Sequence, residues 1–333
     1  MTPGAAPPAP VDAVDLVVSD EAAGARLDRF AANALRVSRS EIQRWIGRGR
    51  VTVDGVPGEA STTLHRGERV VVRPEPPAAT EAKPEADVRF DVIHSDEDIV
   101  VVDKPPGLVV HPSRGHAGGT LVNGLLALGL FRREDFAGDA DSPENVRPGV
   151  VHRLDKGTSG VMVVARNVEA RERLKAQFQE HSIDRAYVAI VVGVAQSRTF
   201  STLHGRHPTD RIRFTARVHR GKRAVTHVRV IAALDGATLV ECTLETGRTH
   251  QIRVHLSESG TPVLGDPLYG KPPRSPHLRD AGERLGHQAL HARLLGLVHP
   301  RTGARLRFEA PPPADFTATL EALRRPGAPD TVA

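Results

Sequence analysis

Gly149-Val150-Val151-His152-Arg153-Leu154-Asp155-Lys156-Gly157-Thr158-Ser159-Gly160 decides how this chain is read. A polar, glycine-rich segment stands between two apolar runs, Val150-Val151 before it and Val161-Met162-Val163-Val164 after it. That pattern predicts strand, loop, strand. A loop pinned between core strands can hold one side chain rigidly over a cleft. The acidic side chain here is Asp155, flanked by Arg153 and Lys156. Free Asp titrates near ~3.9, and neighbouring cations favour its ionised form. Taken alone, an Asp in such a loop is most often a turn-capping residue.

Outward from this stretch, further segments carry chemistry. In Ile183-Asp184-Arg185-Ala186-Tyr187-Val188-Ala189, alternation puts Arg185 and Tyr187 on one face of a strand, and the chain has only two tyrosines. In Thr246-Gly247-Arg248-Thr249-His250-Gln251-Ile252-Arg253-Val254-His255-Leu256, Thr249 is the expected helix N-cap, Ile252 and Leu256 face the core, and Gly260 marks the end. Arg253 then lies at the core edge, a costly place for an unpaired cation, and Asp155 is its natural partner. Asp103-Lys104-Pro105-Pro106-Gly107-Leu108-Val109-Val110-His111-Pro112 predicts a strand end, a stiff bend and another strand, with Lys104 solvated. His287 and His291 have the spacing of a metal pair, but no Glu follows His287, so structural contacts are expected and no metal.

These residues resemble the catalytic motifs of the RluA-type pseudouridine synthases, which isomerise uridine to pseudouridine in RNA. His152-Arg153-Leu154-Asp155 with Lys156-Gly157-Thr158-Ser159-Gly160 is similar to the family's catalytic loop, and the Tyr187, Lys104 and Arg253 segments are similar to others, in the same chain order. Where Arg185 stands the family usually has Lys; the charge is kept, but the donor geometry differs. Gly260 to Gly270, with Asp266, is also family-like. The resemblance implies Asp155 as the essential carboxylate, Arg253 as its positioning partner and Tyr187 against the base. Arg153 would fill the space the uridine leaves, and Arg248 and His250 are further RNA-binding candidates. It implies an α+β fold with a mixed, mostly antiparallel sheet and an RNA cleft, and needs neither cofactor nor metal.

The 333 residues suffice for about two domains. Residues 1–13 read as a flexible tail, 14–73 as a small module, 74–86 as a proline-rich linker, 87–311 as the catalytic domain and 312–333 as a helix and tail. In the small module Arg26 to Arg36 predicts a helix with Leu27, Phe30, Ala31, Ala34 and Leu35 on one face. Ser38-Arg39-Ser40-Glu41 has capping-box spacing for a second helix with Ile42, Trp45 and Ile46 inward. Strands over 51–53 and 69–72 follow, with a turn at Asp54-Gly55. Seven arginines fall within positions 26 to 50. The module resembles the RNA-binding domain named after ribosomal protein S4, and Arg29, Arg39, Arg44 and Arg48 are its phosphate-contact candidates. Such a module favours large-subunit ribosomal RNA, or its assembly intermediate, over transfer RNA, as in RluD-like members.

In the catalytic domain, strands are expected at 99–102, 161–165, 187–192, 226–234 and 238–245, and a helix at 167–181 with Leu174 and Phe178 inward. Residues 131–148 read as a surface loop and 314–324 as a helix. The irregular order of strands and helices argues against a βαβ repeat. The net charge of +5 permits a polyanionic partner without identifying one. A single cysteine, Cys242, excludes a disulfide framework and fits a reducing, cytoplasmic setting. No apolar run approaches the ~20 residues of a membrane helix, and a monomer is expected. Two other readings remain open from the residues alone. One is a non-catalytic RNA-binding or ribosome-assembly protein. The other is a hydrolase using Asp155 with a second acid, Asp266 or Asp103.

Overall fold

A computed structural model describes residues 13–35, 37, 39–74, 82–112, 116, 118–130, 136, 149–210 and 212–324. Arg36, Ser38 with its capping box, and the expected surface loop 131–148 apart from Phe136 lie outside the described residues, as do both tails and most of the linker. The chain divides into two compact units, 1–80 and 81–333.

The small unit runs β1 (Val14–Val17), α1 (Leu27–Leu35), α2 (Arg39–Gly47), β2 (Val51–Val53), β3 (Val56–Pro57) and β4 (Arg69–Val72). Its sheet has the order β1-β4-β2-β3, all antiparallel. Leu27, Ala31, Ile42, Trp45, Val51, Leu64, Val70 and Val72 form the core. The expected helices and the two longer strands are present, and Asp54 and Gly55 turn with positive φ. The inward face of α1 differs from the periodic one. Ala34 is exposed, whereas Ala32 and Asp28 are buried. Asp28 tolerates burial because Arg26, Arg39 and Gln43 all donate to its carboxylate.

The large unit contains β5 (Asp91–Ser95), β6 (Ile99–Lys104), α3 (Leu121–Ala127), β7 (Ser159–Ala165), α4 (Val168–Gln179), β8 (Asp184–Val192), β9 (Arg198–Arg206), β10 (Phe214–Thr215), β11 (Lys222–Ala233) and β12 (Ala237–Leu244). It continues with α5 (Gln251–Glu258), α6 (Pro276–Leu285), β13 (Leu290–Val298), β14 (Arg305–Glu309) and α7 (Ala314–Ala322). One ten-stranded sheet follows the order β10-β9-β11-β12-β8-β13-β7-β6-β5, with β14 on β13. Among the described strand pairs only β13 with β7 is parallel, so the sheet is mixed and mostly antiparallel, as expected.

Every residue of β7 is buried, because the strand is covered on both faces. Val161, Val163 and Ala165 join Leu174 of α4 in one core, while Met162 and Val164 join the core that includes Tyr187, Ile252 and Leu256. Asn167 caps α4 by accepting from the amide of Ala170 at 2.8 Å. Truncating the fully buried Leu174 to Ala would cost roughly 2–5 kcal/mol.

Two expected strands are reduced to single bridges. Among the described residues Val150 pairs only with Val164, and Val109 only with Thr120. The segment around Asp155 thus enters one long strand, β7, from a loop that pairs with the sheet through a single bridge at Val150. No described helix is long and apolar enough to cross a membrane.

Candidate active site

The loop before β7 alternates its side chains. Leu154 is buried in the core, while Arg153 and Lys156 are exposed and Asp155 is partly exposed. The loop closes on itself through Thr158 N–H donating to the Asp155 carbonyl at 3.0 Å. Gln288 fills the space over Gly157 and donates to Thr158 Oγ1 at 3.0 Å. At Gly160 φ is +113°, and a Cβ would lie 2.2 Å from the Ala292 carbonyl oxygen, so the close parallel crossing onto β13 requires glycine.

Lys104 holds this loop from below. It is fully buried, contrary to the expected solvated lysine. Its Nζ donates to the carbonyls of Pro105 at 2.8 Å, Leu108 at 2.9 Å and Lys156 at 3.3 Å. Burial pulls its pKa down to about 7 against the attraction of Asp155 and Asp103. Three carbonyl acceptors match the three hydrogens of an ammonium.

Asp155 opens onto a cleft of about 550 Å³. Arg153, Lys175, Arg185, Arg248 and Arg253 also line it, with Tyr187, Phe178 and His250, and Asp155 is the one carboxylate among its lining residues. The two acids considered for a hydrolase pair do not join it. Asp266 has a fully buried side chain engaged elsewhere, and Asp103 is not part of the lining. Among the described residues the cleft does not hold the two carboxylates flanking one bond that a glycosidase needs.

Arg253, on α5, carries the loop's charge. Its Nη1 donates to Asp155 Oδ2 at 2.8 Å. Its Nε and Nη2 donate to Asp266 Oδ2 and Oδ1 at 2.7 and 2.8 Å, a bidentate pair. Burial alone would lower the pKa of this guanidinium, but Asp266 and Asp155 together raise it. Burial would likewise raise Asp266, yet the bonds from Arg253 and from the amides of Tyr269 and Leu268 hold it below the usual carboxylate range. The expected Asp155–Arg253 pair is therefore present, but Asp266 is the deeper partner. Its signal was local: an Asp whose side chain accepts from N–H groups two and three residues on is an Asx-type turn.

Tyr187 and Arg185 share a face of β8, as alternation requires, and both line the cleft. Burial pushes the Tyr187 phenol up, Arg185 opposes this and Asp155 adds to it. Arg185 is buried, donates to the Glu245 carbonyl at 2.9 Å and lies over the Phe178 ring at 5.6 Å. His152 serves the scaffold. It stacks on Phe178 at 4.6 Å and accepts from the amide of Val163 at 3.1 Å.

The N-cap of α5 is His250, not Thr249. The Thr249 carbonyl instead accepts from His204 Nε2 at 2.9 Å, and Gln251 Oε1 accepts from the Arg248 amide at 3.0 Å. Arg248 is half-buried and donates to the Arg223 carbonyl at 3.0 Å. Cys242 is buried in β12 opposite Tyr187, and burial raises its thiol to about 12, as suits an inert core residue. His287 pairs with Asp315, while His291 bonds Ser159 and the Ala310 carbonyl, so the two histidines serve separate contacts.

In the small unit Arg29 is exposed. Arg39 is half-exposed and paired with Asp28 at 2.7 Å. Arg44 pairs with Glu41 at 3.2 Å, and Arg48 is exposed.

The family model described as RNA pseudouridylate synthase matches residues 98–258, and that of the S4 domain matches 25–70. The chain is 44% identical over 313 residues to the ribosomal large subunit pseudouridine synthase D of Pseudomonas aeruginosa, covering 92% of this chain and 94% of that one. It is 41% identical over 317 residues to an uncharacterized RNA pseudouridine synthase of Bacillus subtilis, covering 94% and 99%. Among solved structures it is similar to human RNA pseudouridylate synthase domain containing 4, with 27% identity, a TM-score of 0.53, and 70% and 92% of the chains covered.

Proposed function

The chain belongs to the RNA pseudouridylate synthase family, and from that premise we propose that it isomerises uridines of large-subunit ribosomal RNA in the cytoplasm, with Asp155 as the essential carboxylate. The single observation that carries this reading is Asp155 itself, the one acid among the described residues that line a cleft with five cationic side chains. A polyanionic strand is drawn to such a cleft, and the carboxylate within it is held by Arg253 at 2.8 Å.

The reaction breaks the bond from ribose C1′ to uracil N1 and forms one from C1′ to C5. N1 gains a proton, C5 loses one, and nothing is oxidised. Asp155 attacks or stabilises the sugar-base system during detachment. Tyr187, buried on β8, packs against the base and assists removal of the C5 proton. The uridine has to leave its stack first, and exposed Arg153 is placed to take the vacated space by stacking. Arg248 and the arginines of the S4 domain, Arg29, Arg39, Arg44 and Arg48, contact phosphates. The identity with relatives named for the large ribosomal subunit supports that RNA as the substrate.

Tritium release from RNA labelled at uridine C5 tests the reading. The native protein should release tritium from ribosomal RNA lacking pseudouridine, without free uracil, and Asp155→Asn should not. Release from transfer RNA alone would reassign the substrate. Binding without release by either protein would point to a non-catalytic RNA-binding role.

A further inference from the structure

Asp155 has two oxygens, and Arg253 accounts for one of them. Oδ2 receives Nη1 at 2.8 Å. Oδ1 receives no hydrogen bond from the described residues, but His250 Nε2 stands 3.8 Å away. A carboxylate held by one donor at one oxygen can still turn about its Cβ–Cγ bond.

The state of His250 can be read from its other contacts. The amide of Phe214 donates to the Tyr269 hydroxyl oxygen at 2.8 Å, so that oxygen acts as an acceptor there. The same hydroxyl lies 2.8 Å from His250 Nδ1, the one acceptor for the phenolic proton among the described residues. Tyr269 therefore donates to Nδ1, and the imidazole hydrogen is left on Nε2, the nitrogen facing Asp155. Burial lowers the pKa of His250, against the pull of Asp155, which favours the neutral ring.

Two further features mark the arrangement as built. His250 has φ +58°, a left-handed conformation that a non-glycine residue adopts at a cost of about 1–3 kcal/mol. Tyr269 also follows from Asp266, whose Oδ1 accepts from the amide of Tyr269 at 3.0 Å and of Leu268 at 2.9 Å. One buried carboxylate thus supports both Arg253 and the tyrosine.

We propose that His250 is a positioning residue whose Nε2–H, fixed by Tyr269, closes onto Oδ1 of Asp155 when uridine enters, so that the 266–269 turn braces both oxygens of the carboxylate. The 3.8 Å gap of the free enzyme shortens in the substrate complex, as such contacts commonly do. A neutral donor orients Oδ1 without cancelling its charge, which a second cation would do. This assigns His250 to the carboxylate and not to an RNA phosphate, and it rests on the reading of Asp155 as the essential group.

The experiment measures kcat and KM for tritium release in His250→Ala, His250→Gln, His250→Asn and Tyr269→Phe, beside native protein and Asp155→Asn. Loss of one hydrogen bond to a charged group predicts a fall in kcat of roughly 10- to 100-fold for His250→Ala, with KM within about twofold. Gln reaches with its Nε2 and should recover most of the rate, whereas Asn, ending where Nδ1 was, should not. Tyr269→Phe should lower kcat by roughly 3- to 10-fold through loss of the fixed tautomer. Raised KM with kcat retained and a shallower salt dependence would overturn the proposal in favour of a phosphate contact, as would native kinetics in His250→Ala. Either result with Asp155→Asn inactive leaves the essential carboxylate standing. Activity in Asp155→Asn would instead remove that premise.

Discussion

The two units of this protein each enclose a carboxylate, but they differ in what holds it and in which charge faces outward. In the small unit the buried group is a carboxylate: Asp28 is fully enclosed, and Arg26 and Arg39 reach it with half-exposed side chains. In the large unit the enclosed Asp266 is paired with a guanidinium that is itself buried: Arg253 is only 6% exposed, and it reaches on to Asp155, which faces the cleft. In each case the enclosed carboxylate is the anchor, and the outermost charged group of the network is the one that the proposed function would offer to RNA. The small unit presents cations, which suit phosphates. The large unit presents one ordered anion, which suits a reaction.

If that division holds, substitutions should separate chemistry from stability. Asp155→Asn removes the presented group and leaves the Arg253–Asp266 pair intact. The expected loss in kcat is at least about 10³-fold, with the thermal midpoint of unfolding nearly unchanged. A large drop in that midpoint would show Asp155 to be a structural anchor after all.

Asp266→Asn removes the anchor of the same network. Leaving Arg253 buried beside a neutral amide should cost roughly 3–5 kcal/mol, measurable by urea unfolding, along with most activity. The sign of the pH effect is fixed. The pKa of Asp266 in the folded protein lies below the unfolded value, so its contribution is full above about pH 4 and is lost as pH falls through the folded value. Acid unfolding should therefore lose part of its steepness in the Asn variant. Asp28→Asn should behave alike but more weakly, roughly 1–3 kcal/mol, because water screens its half-exposed arginines.

How much of this was readable without coordinates follows from what each contact depends on. β7, β8, α4 and the two small helices were legible as elements because apolar runs and helical spacing mark them, although β7 and β8 are buried on both faces and α1 buries Ala32 and Asp28 in place of Ala34. The Asp155–Arg253 pair spans 98 positions, yet it was legible because a cation at a core edge demands an anion and few were offered in suitable segments. Lys104 was misread as solvated. Its partners are carbonyl oxygens, which every residue possesses, so no sequence pattern announces them. β1 was missed because Val14-Asp15-Leu16-Val17 is a strand only through β4, more than 50 residues away. Thr249 lost the N-cap because its carbonyl is engaged by His204 on β9, a contact no local rule contains.

The smallest effect tests the small unit's half of the comparison. Arg39 has two roles available, a bond to Asp28 at 2.7 Å and a half-exposed surface, while Arg29 is exposed on the same helix pair. Arg29→Gln should leave folding unchanged within about 0.5 kcal/mol and weaken RNA binding uniformly across sequences. The slope of log K against log salt should fall by about 1, the signature of one lost phosphate contact. Arg39→Gln should give the same change in slope together with a loss of up to about 1 kcal/mol in stability, since its ion pair is half-exposed. Unchanged slopes in both variants, with Arg39→Gln still destabilising, would mean that these arginines serve Asp28 and the solvent. RNA recognition by the small unit would then have to rest on its remaining arginines, and the contrast between a cation-presenting and an anion-presenting unit would reduce to a difference in folding alone.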